Sequence, residues 1–280
     1  MSWPTFRHEA MATHFEIVIA GQSESYARQA AAAAFRELER LEGVLSRYVE
    51  SSDIGRANRL ARGETIAIGD DTLECLLLAA DASIATGRAF DPAYASERAP
   101  DLPADAPPFT LDPAAHTLTS QAVRLHLDLG AIGKGFALDR LAETLREWDV
   151  LAACLNSGGS TALALAPPAA ATGWPVGLGE GKAHRMLPLV HGALSGSGTA
   201  VKGAHLIDPR TGEPAVRTTR AWAFAPGAAT ADALSTAFFV MNEADIARFC
   251  EAHPKIGAAT VSPRRGLLAY GALREKLQGP

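Results

Sequence analysis

Asp232 and Thr236 lie four residues apart in Thr230-Ala231-Asp232-Ala233-Leu234-Ser235-Thr236, so on a helix both project from one face. A carboxylate and a hydroxyl presented together suit a hard cation that takes oxygen ligands. The same residues also fit an ordinary helix start. Thr230 would then be the N-cap, Asp232 would complement the dipole, and Thr236 would bond back to a carbonyl. A second stretch with chemical potential is Asp128-Leu129-Gly130-Ala131-Ile132-Gly133-Lys134-Gly135. Its glycines let the backbone approach another group closely, and Lys134 stands where a helix should begin. Backbone N–H groups and the positive end of a helix dipole make such a turn an anion site, or simply a turn with a solvated lysine. It is not a Walker A loop: position 128 is not glycine, and Gly135 replaces the Ser/Thr that would follow the lysine.

Three further clusters are polar and turn-like. His205-Leu206-Ile207-Asp208-Pro209-Arg210-Thr211-Gly212 sets a histidine, a candidate general base, beside good β-turn chemistry. Ala89-Phe90-Asp91-Pro92 reads as a turn with a core phenylalanine, and Asn156 to Ser160 carries paired glycines. Other arrangements are excluded. There is no G-x-S-x-G elbow around Ser157, Ser195 or Ser197, no H-E-x-x-H, and no G-x-G-x-x-G following a strand.

The elements that must position these groups show in the periodicity. Thr13 to Ala20 alternates as a strand, and Ser25 to Tyr48 is a long helix whose apolar face includes Ala31, Ala34, Phe35, Leu38, Leu41, Leu45 and Tyr48. A second helix runs from near Asp71 to Gly87. Ala95 to Pro108 is a surface loop, Phe109–Leu111 and Thr117–Thr119 form a hairpin, and Val123 to Asp128 alternates as a strand leading into the glycine turn. The helix after that turn carries Phe136, Leu141, Leu145 and Trp148, and Val150 to Leu155 is a buried-type strand. Short strands follow, among them Thr161–Ala166, Met186–Val190, Ala204–Ile207 and Arg220–Ala225. Two helices, Ala231–Met241 and Glu243–Ala252, then precede two closing strands. Helices mixed with hairpins, without regular βαβ alternation, predict an α+β fold with mixed, largely antiparallel sheets. One domain spans residues 1–280, with a possible internal subdivision near 166–175 at Ala-Pro-Pro-Ala-Ala-Ala.

The bulk numbers fit a globular protein: 280 residues, 48% hydrophobic, 20% charged. A net charge of -5 without a basic stripe argues against nucleic acid as a partner. No apolar run reaches the roughly 18 residues of a membrane span, and the first ten residues hold no signal-like core. The three cysteines, Cys75, Cys154 and Cys250, lack C-x-x-C spacing and read as small buried hydrophobes in a reducing compartment. The expectation is a cytoplasmic protein.

Taken together and in order, these clusters resemble the ApbE-type FAD:protein FMN transferases. Met11-Ala12-Thr13 is similar to the family's Met-Gly-Thr, and Ser46-Arg47-Tyr48 with Ser52-Asp53-Ile54 and Asn58 to its Ser-x-Tyr, Ser-Glu-Ile and Asn. Phe90-Asp91-Pro92, Asp128 to Gly135, His205 to Gly212, and Ala231-Asp232-Ala233 with Thr236 match its remaining motifs. The resemblance implies FAD as substrate, Mg²⁺ at its pyrophosphate, and transfer of FMN to a Ser or Thr hydroxyl of an acceptor flavoprotein, with AMP leaving. It implies metal oxygens from Asp232, Thr236 and the Ala131 carbonyl, with Ser235 on the same face. Met11, Tyr48, Ala89, Phe90, Asp91, Asp128, Lys134 and Ile207 would line the FAD site. His205 would be the base for the acceptor hydroxyl, with Asp128 as a second candidate. FAD hydrolysis to FMN and AMP, or FAD binding without turnover, are the alternative functions. Three departures stand out. Ala12 replaces a glycine, Ser160 stands where an acid or asparagine is common, and Ser195-Gly196-Ser197-Gly198 lacks the aromatic of a Thr-Ser-Gly-x-Tyr-like segment.

Overall fold

The structure, a computed structural model, describes residues 3–103, 106–179, 184–198, 207–215, 218–262 and 266–278. Its centre is an eight-stranded antiparallel sheet in the order β1-β2-β6-β7-β10-β11-β12-β13. These strands are β1 (Thr5–Ala10), β2 (Thr13–Ile19), β6 (Ala153–Ser157), β7 (Thr161–Ala164), β10 (Gly192–Gly198), β11 (Arg220–Ala225), β12 (Gly257–Ser262) and β13 (Gly266–Tyr270). β3 (Thr65–Ala67), β5 (Thr117–Ser120) and β4 (Phe109–Asp112) make a small sheet, and β8 (Trp174–Leu178) pairs with β9 (Arg185–Leu189). The architecture is α+β, as the element pattern predicts. β7, before the segment at Ala166, and β10, after it, pair directly in one sheet.

Strand alternation sorts the side chains into two cores. On β2, Phe15, Ile17 and Ile19 are fully buried on one face. They join the apolar face of α1 (Glu24–Leu45), together with Phe136, Leu141 and Leu145 of α4 (Gly133–Glu147) and Leu234 and Phe238 of α5 (Ala228–Val240). The alanines of α1 keep that helix narrow, so α1 and α4 pack together. The opposite face of the sheet carries a second cluster of Trp174, Leu187, Leu194, Trp222, Phe224 and Leu273, covered by the β8–β9 hairpin and α7 (Gly271–Gln278). Short α2 (Asp53–Ala57), α3 (Asp70–Ala85) and α6 (Glu243–Ala252) complete the helical layer. Among the described residues no helix is long and apolar enough to cross a membrane.

Three local expectations change. The first helix stops at Leu45, because Ser46 turns to an extended conformation. Tyr48 is therefore not on its apolar face but 80% exposed beneath the Arg47 guanidinium. Val123 to Asp128 is extended but joins no sheet. Its backbone groups bond instead to the Asn58 side chain at Leu127 (2.6 and 2.9 Å), to Ser96 Oγ at His126 (2.9 Å) and to the Pro92 carbonyl at Asp128 (2.8 Å). Glu97 adds a single β-bridge at Arg124, its N–H donating to the Arg124 carbonyl at 2.9 Å, so the alternation survives without a full partner strand. β1 and α7 were not expected, because each is short and gains its stability from a neighbour: β1 from β2, α7 from β12. The strand expected at Ala204–Ile207 lies outside the described residues except for Ile207.

Candidate active site

α5 is buried along nearly its whole length, as its Ala-, Leu- and Phe-rich sequence requires. Its charged residue, Asp232, is 5% exposed, and a buried carboxylate needs partners. The structure supplies four. Oδ2 accepts the Gly135 N–H at 3.2 Å and lies 3.4 Å from Lys134 Nζ; Oδ1 accepts from Ser195 Oγ at 3.2 Å and Thr161 Oγ1 at 3.4 Å. Lys134 Nζ also donates to the Gly130 carbonyl at 2.5 Å, so one ammonium joins the glycine turn to the helix.

A layer of hydroxyls surrounds the carboxylate. Ser195 lies 2.8 Å from Thr161, and Ser197 lies 2.8 Å from Ser235 and 3.2 Å from Thr236. Ser235 donates to the Asp232 carbonyl at 2.9 Å. Thr161 on β7 and Ser195 on β10 thus give Oδ1 hydroxyl partners only, while Oδ2 faces the nitrogen donors of α4.

Two contacts fix α5 against α4. Gly227, the N-cap of α5, offers no side chain, so Asp139 on α4 caps the helix from outside: Oδ1 and Oδ2 accept the Ala228 and Ala229 N–H groups, both at 2.8 Å. Burial raises the Asp139 carboxyl above the ordinary value of 3.8, against the lowering effect of those two N–H groups. Gly135 makes the second contact. A Cβ there would come 2.2 Å from the Ala228 carbonyl oxygen, so only glycine permits this approach.

The corner opens into a cavity of about 1090 Å³. Of the residues expected at the site, Met11, Ala89, Phe90, Asp91, Asp128, Ala131, Lys134, Ile207, Asp232 and Thr236 all line it. Met11 sits in the β1–β2 turn at φ +51°, held by its N–H donating to Glu42 Oε1 at 2.8 Å. Asp91 accepts the Ala93 N–H at 2.8 Å, and burial pushes its carboxyl up. Asp128 accepts the Gly130 N–H at 2.8 Å and faces Arg47 Nε at 3.4 Å. Arg47 also bonds Tyr48 at 2.6 Å and His126 at 3.1 Å. Tyr48 thus reaches the site only through Arg47, and Ser235 is buried behind the wall. His205 lies outside the described residues.

Several residues of this site escaped the sequence reading. Ser195 and Ser197 carry a signal, since on β10 they alternate with glycine; Thr161, the one hydroxyl of β7, carries none. Asp139 and Arg47 carry none, because their partners are remote in sequence or lie in an irregular loop. As for a metal, no group of three His, Cys, Asp or Glu residues capable of holding one occurs among the described residues. One carboxylate with hydroxyls and nearby carbonyls is instead a hard-oxygen set. It fits Mg²⁺ that takes further ligands from substrate phosphates.

An eight-stranded sheet with this helical layer is the fold of the flavin transferases. The Pseudomonas stutzeri flavinyl transferase ApbE has a TM-score of 0.84 at 19% identity, covering 100% of this chain and 98% of that one. The Vibrio cholerae flavin transferase ApbE gives 0.79 at 20% identity, over 96% and 98%. The chain belongs to the ApbE family, whose sequence profile matches residues 11–260. A curated relative, the FAD:protein FMN transferase of Treponema pallidum, is 27% identical over 186 residues. That match covers 59% of this chain and about half, 51%, of the relative.

Proposed function

We propose that this chain is an FAD:protein FMN transferase that moves FMN from FAD to a Ser or Thr hydroxyl of an acceptor protein, releasing AMP. The observation that carries this reading is the Asp232 corner. A buried carboxylate, ringed by hydroxyls and bridged by Lys134 to the glycine turn, opens into a cavity large enough for a dinucleotide. Membership of the ApbE family and the name of the Treponema relative supply the substrate class.

In this reading the acceptor hydroxyl attacks the FMN-side phosphorus. A new P–O bond forms, the pyrophosphate P–O bond breaks, and AMP leaves with the electron pair. Asp128, lining the cavity and held by the Gly130 N–H, takes the hydroxyl proton; His205 is the other candidate for that role. Lys134 offers an ammonium to the charge that builds on the phosphate oxygens. Asp232 and Thr236, with the Ala131 carbonyl and Ser235 in support, would hold Mg²⁺. When bound, that ion neutralises phosphate charge and acts as a Lewis acid. Met11, Ala89, Phe90, Asp91 and Ile207 line the nucleotide's path, and Tyr48 supports Asp128 through Arg47. The odd cysteine count supports a cytoplasmic setting.

Incubation with FAD, Mg²⁺ and a Thr-containing acceptor, read by mass spectrometry, tests the proposal. Covalent FMN on the acceptor is the expected result. Free FMN with AMP would make the protein a hydrolase, and unchanged FAD would make it a binder.

A further inference from the structure

β10 serves the cavity from both of its faces. Ser195 and Ser197 point to the Asp232 corner, while Gly196, between them, points to the other side of the sheet. Across the ladder Gly196 pairs with Trp222 on β11, and the indole lies over it. A Cβ at position 196 would come 2.9 Å from Trp222 Nε1 and 3.0 Å from Cδ1. The missing side chain is therefore what lets the ring lie down against the strand.

Trp222 is 6% exposed, yet it borders the cavity. Its indole N–H has no hydrogen-bond partner among the described residues. By contrast, Trp174, which also lines the cavity, donates its N–H to the Ala166 carbonyl at 2.9 Å and packs edge-on against Trp3. A buried indole usually satisfies its N–H, and an aromatic wall with a spare donor is what a flat heterocycle with acceptor atoms on its edge needs. Val18 and Leu194 line the cavity on the same face of the sheet, with Glu16, Asn156 and Arg220 beside them. One side of the cavity thus suits phosphate and the other a ring, joined by a single strand.

We propose that Trp222 seats one fused heteroaromatic ring of the bound dinucleotide, by contact with the indole and a hydrogen bond from its Nε1–H. This rests on FAD being the substrate. The two rings of FAD share the required chemistry, so the half-ligands FMN and AMP distinguish them.

The test is affinity for FAD, FMN and AMP, with the half-ligands measured by competition against FAD, in wild type, Trp222→Leu and Trp222→Phe. Loss of an aromatic contact together with the hydrogen bond it donates weakens binding by roughly fivefold or more. Trp222→Leu should therefore lose at least that for FAD and for one half-ligand, and leave the other unchanged; the half-ligand affected identifies the ring. Trp222→Phe keeps a ring without the donor and should fall between Trp222→Leu and wild type, which guards against a Leu variant that misfolds. Unchanged affinities in both variants, or equal weakening of FMN and AMP, overturn the inference. If the variants behave as expected but the wild type transfers no FMN, the ring seat stands and the transferase reading fails. If the wild type does not bind FAD, both fail.

Discussion

Gly135 on α4 and Ala228 at the start of α5 meet backbone to backbone, with room for a hydrogen and not for a methyl group. This contact sets the spacing of the two helices that carry Lys134 and Asp232. The Gly135 N–H itself donates to Asp232. One residue therefore fixes both the packing and the orientation of the carboxylate.

Gly135→Ala should test that contact. Alanine gains about 1 kcal/mol of helix propensity. The overpacking against rigid backbone costs about 1–3 kcal/mol or more, because neither helix can give way cheaply. The expected net result is a lower urea midpoint, together with weaker cation binding because Asp232 is displaced. A variant as stable as wild type, with unaltered binding, would remove the close-approach argument.

Asp232→Asn keeps the size of the side chain and removes its charge. Mg²⁺-dependent turnover should fall by at least about a hundredfold, while circular dichroism remains native and the melting temperature drops as Lys134 loses its carboxylate partner. Asp232→Ala should behave likewise. Full activity in either variant would show that the cation is held elsewhere.

The cap that Asp139 provides has a pH signature. Its carboxyl is raised above 3.8 in the folded protein, so the folded state holds this proton more tightly than the unfolded chain does. The stability from that preference is fully present below the unfolded pKa and is lost as pH rises through the folded one. Asp139→Asn cannot titrate. Urea melts of both proteins between about pH 3 and 7 should show wild type losing stability relative to Asp139→Asn as pH rises, then running parallel. A difference that grows in the opposite direction would mean that the N–H bonds, and not burial, dominate the carboxyl.

Ala12 occupies a left-handed position at φ +57°, next to Met11 at φ +51°, in the two-residue turn between β1 and β2. Such turns favour glycine, since a Cβ is strained there. Ala12→Gly should stabilise the protein by about 0.5–1 kcal/mol, less the entropy that glycine adds to the unfolded chain. Chemical denaturation reads this directly. Destabilisation instead would mean that the Ala12 methyl contributes packing at the cavity rim that outweighs the strain.

Much of this protein is legible in its residue order. Periodicity marks α1, α4 and most central strands, because an amphipathic face shows in the chain itself. The spacing of Asp232 and Thr236 puts them on one helical face, and the glycines around Lys134 announce a close approach. Pairing across the fold is another matter. Nothing near Asp139 says that it caps a helix beginning 89 residues later, and nothing near Gly196 says that Trp222 will lie on it. The Val123–Asp128 segment reads as a strand because its side chains alternate, yet its backbone partners are Asn58, Ser96, Glu97 and Pro92. Side-chain period is a local property of the chain. The partner that accepts each hydrogen bond is chosen by how helices and sheet pack, and that choice turns a motif of separate residues into one oxygen-lined corner beside an aromatic wall.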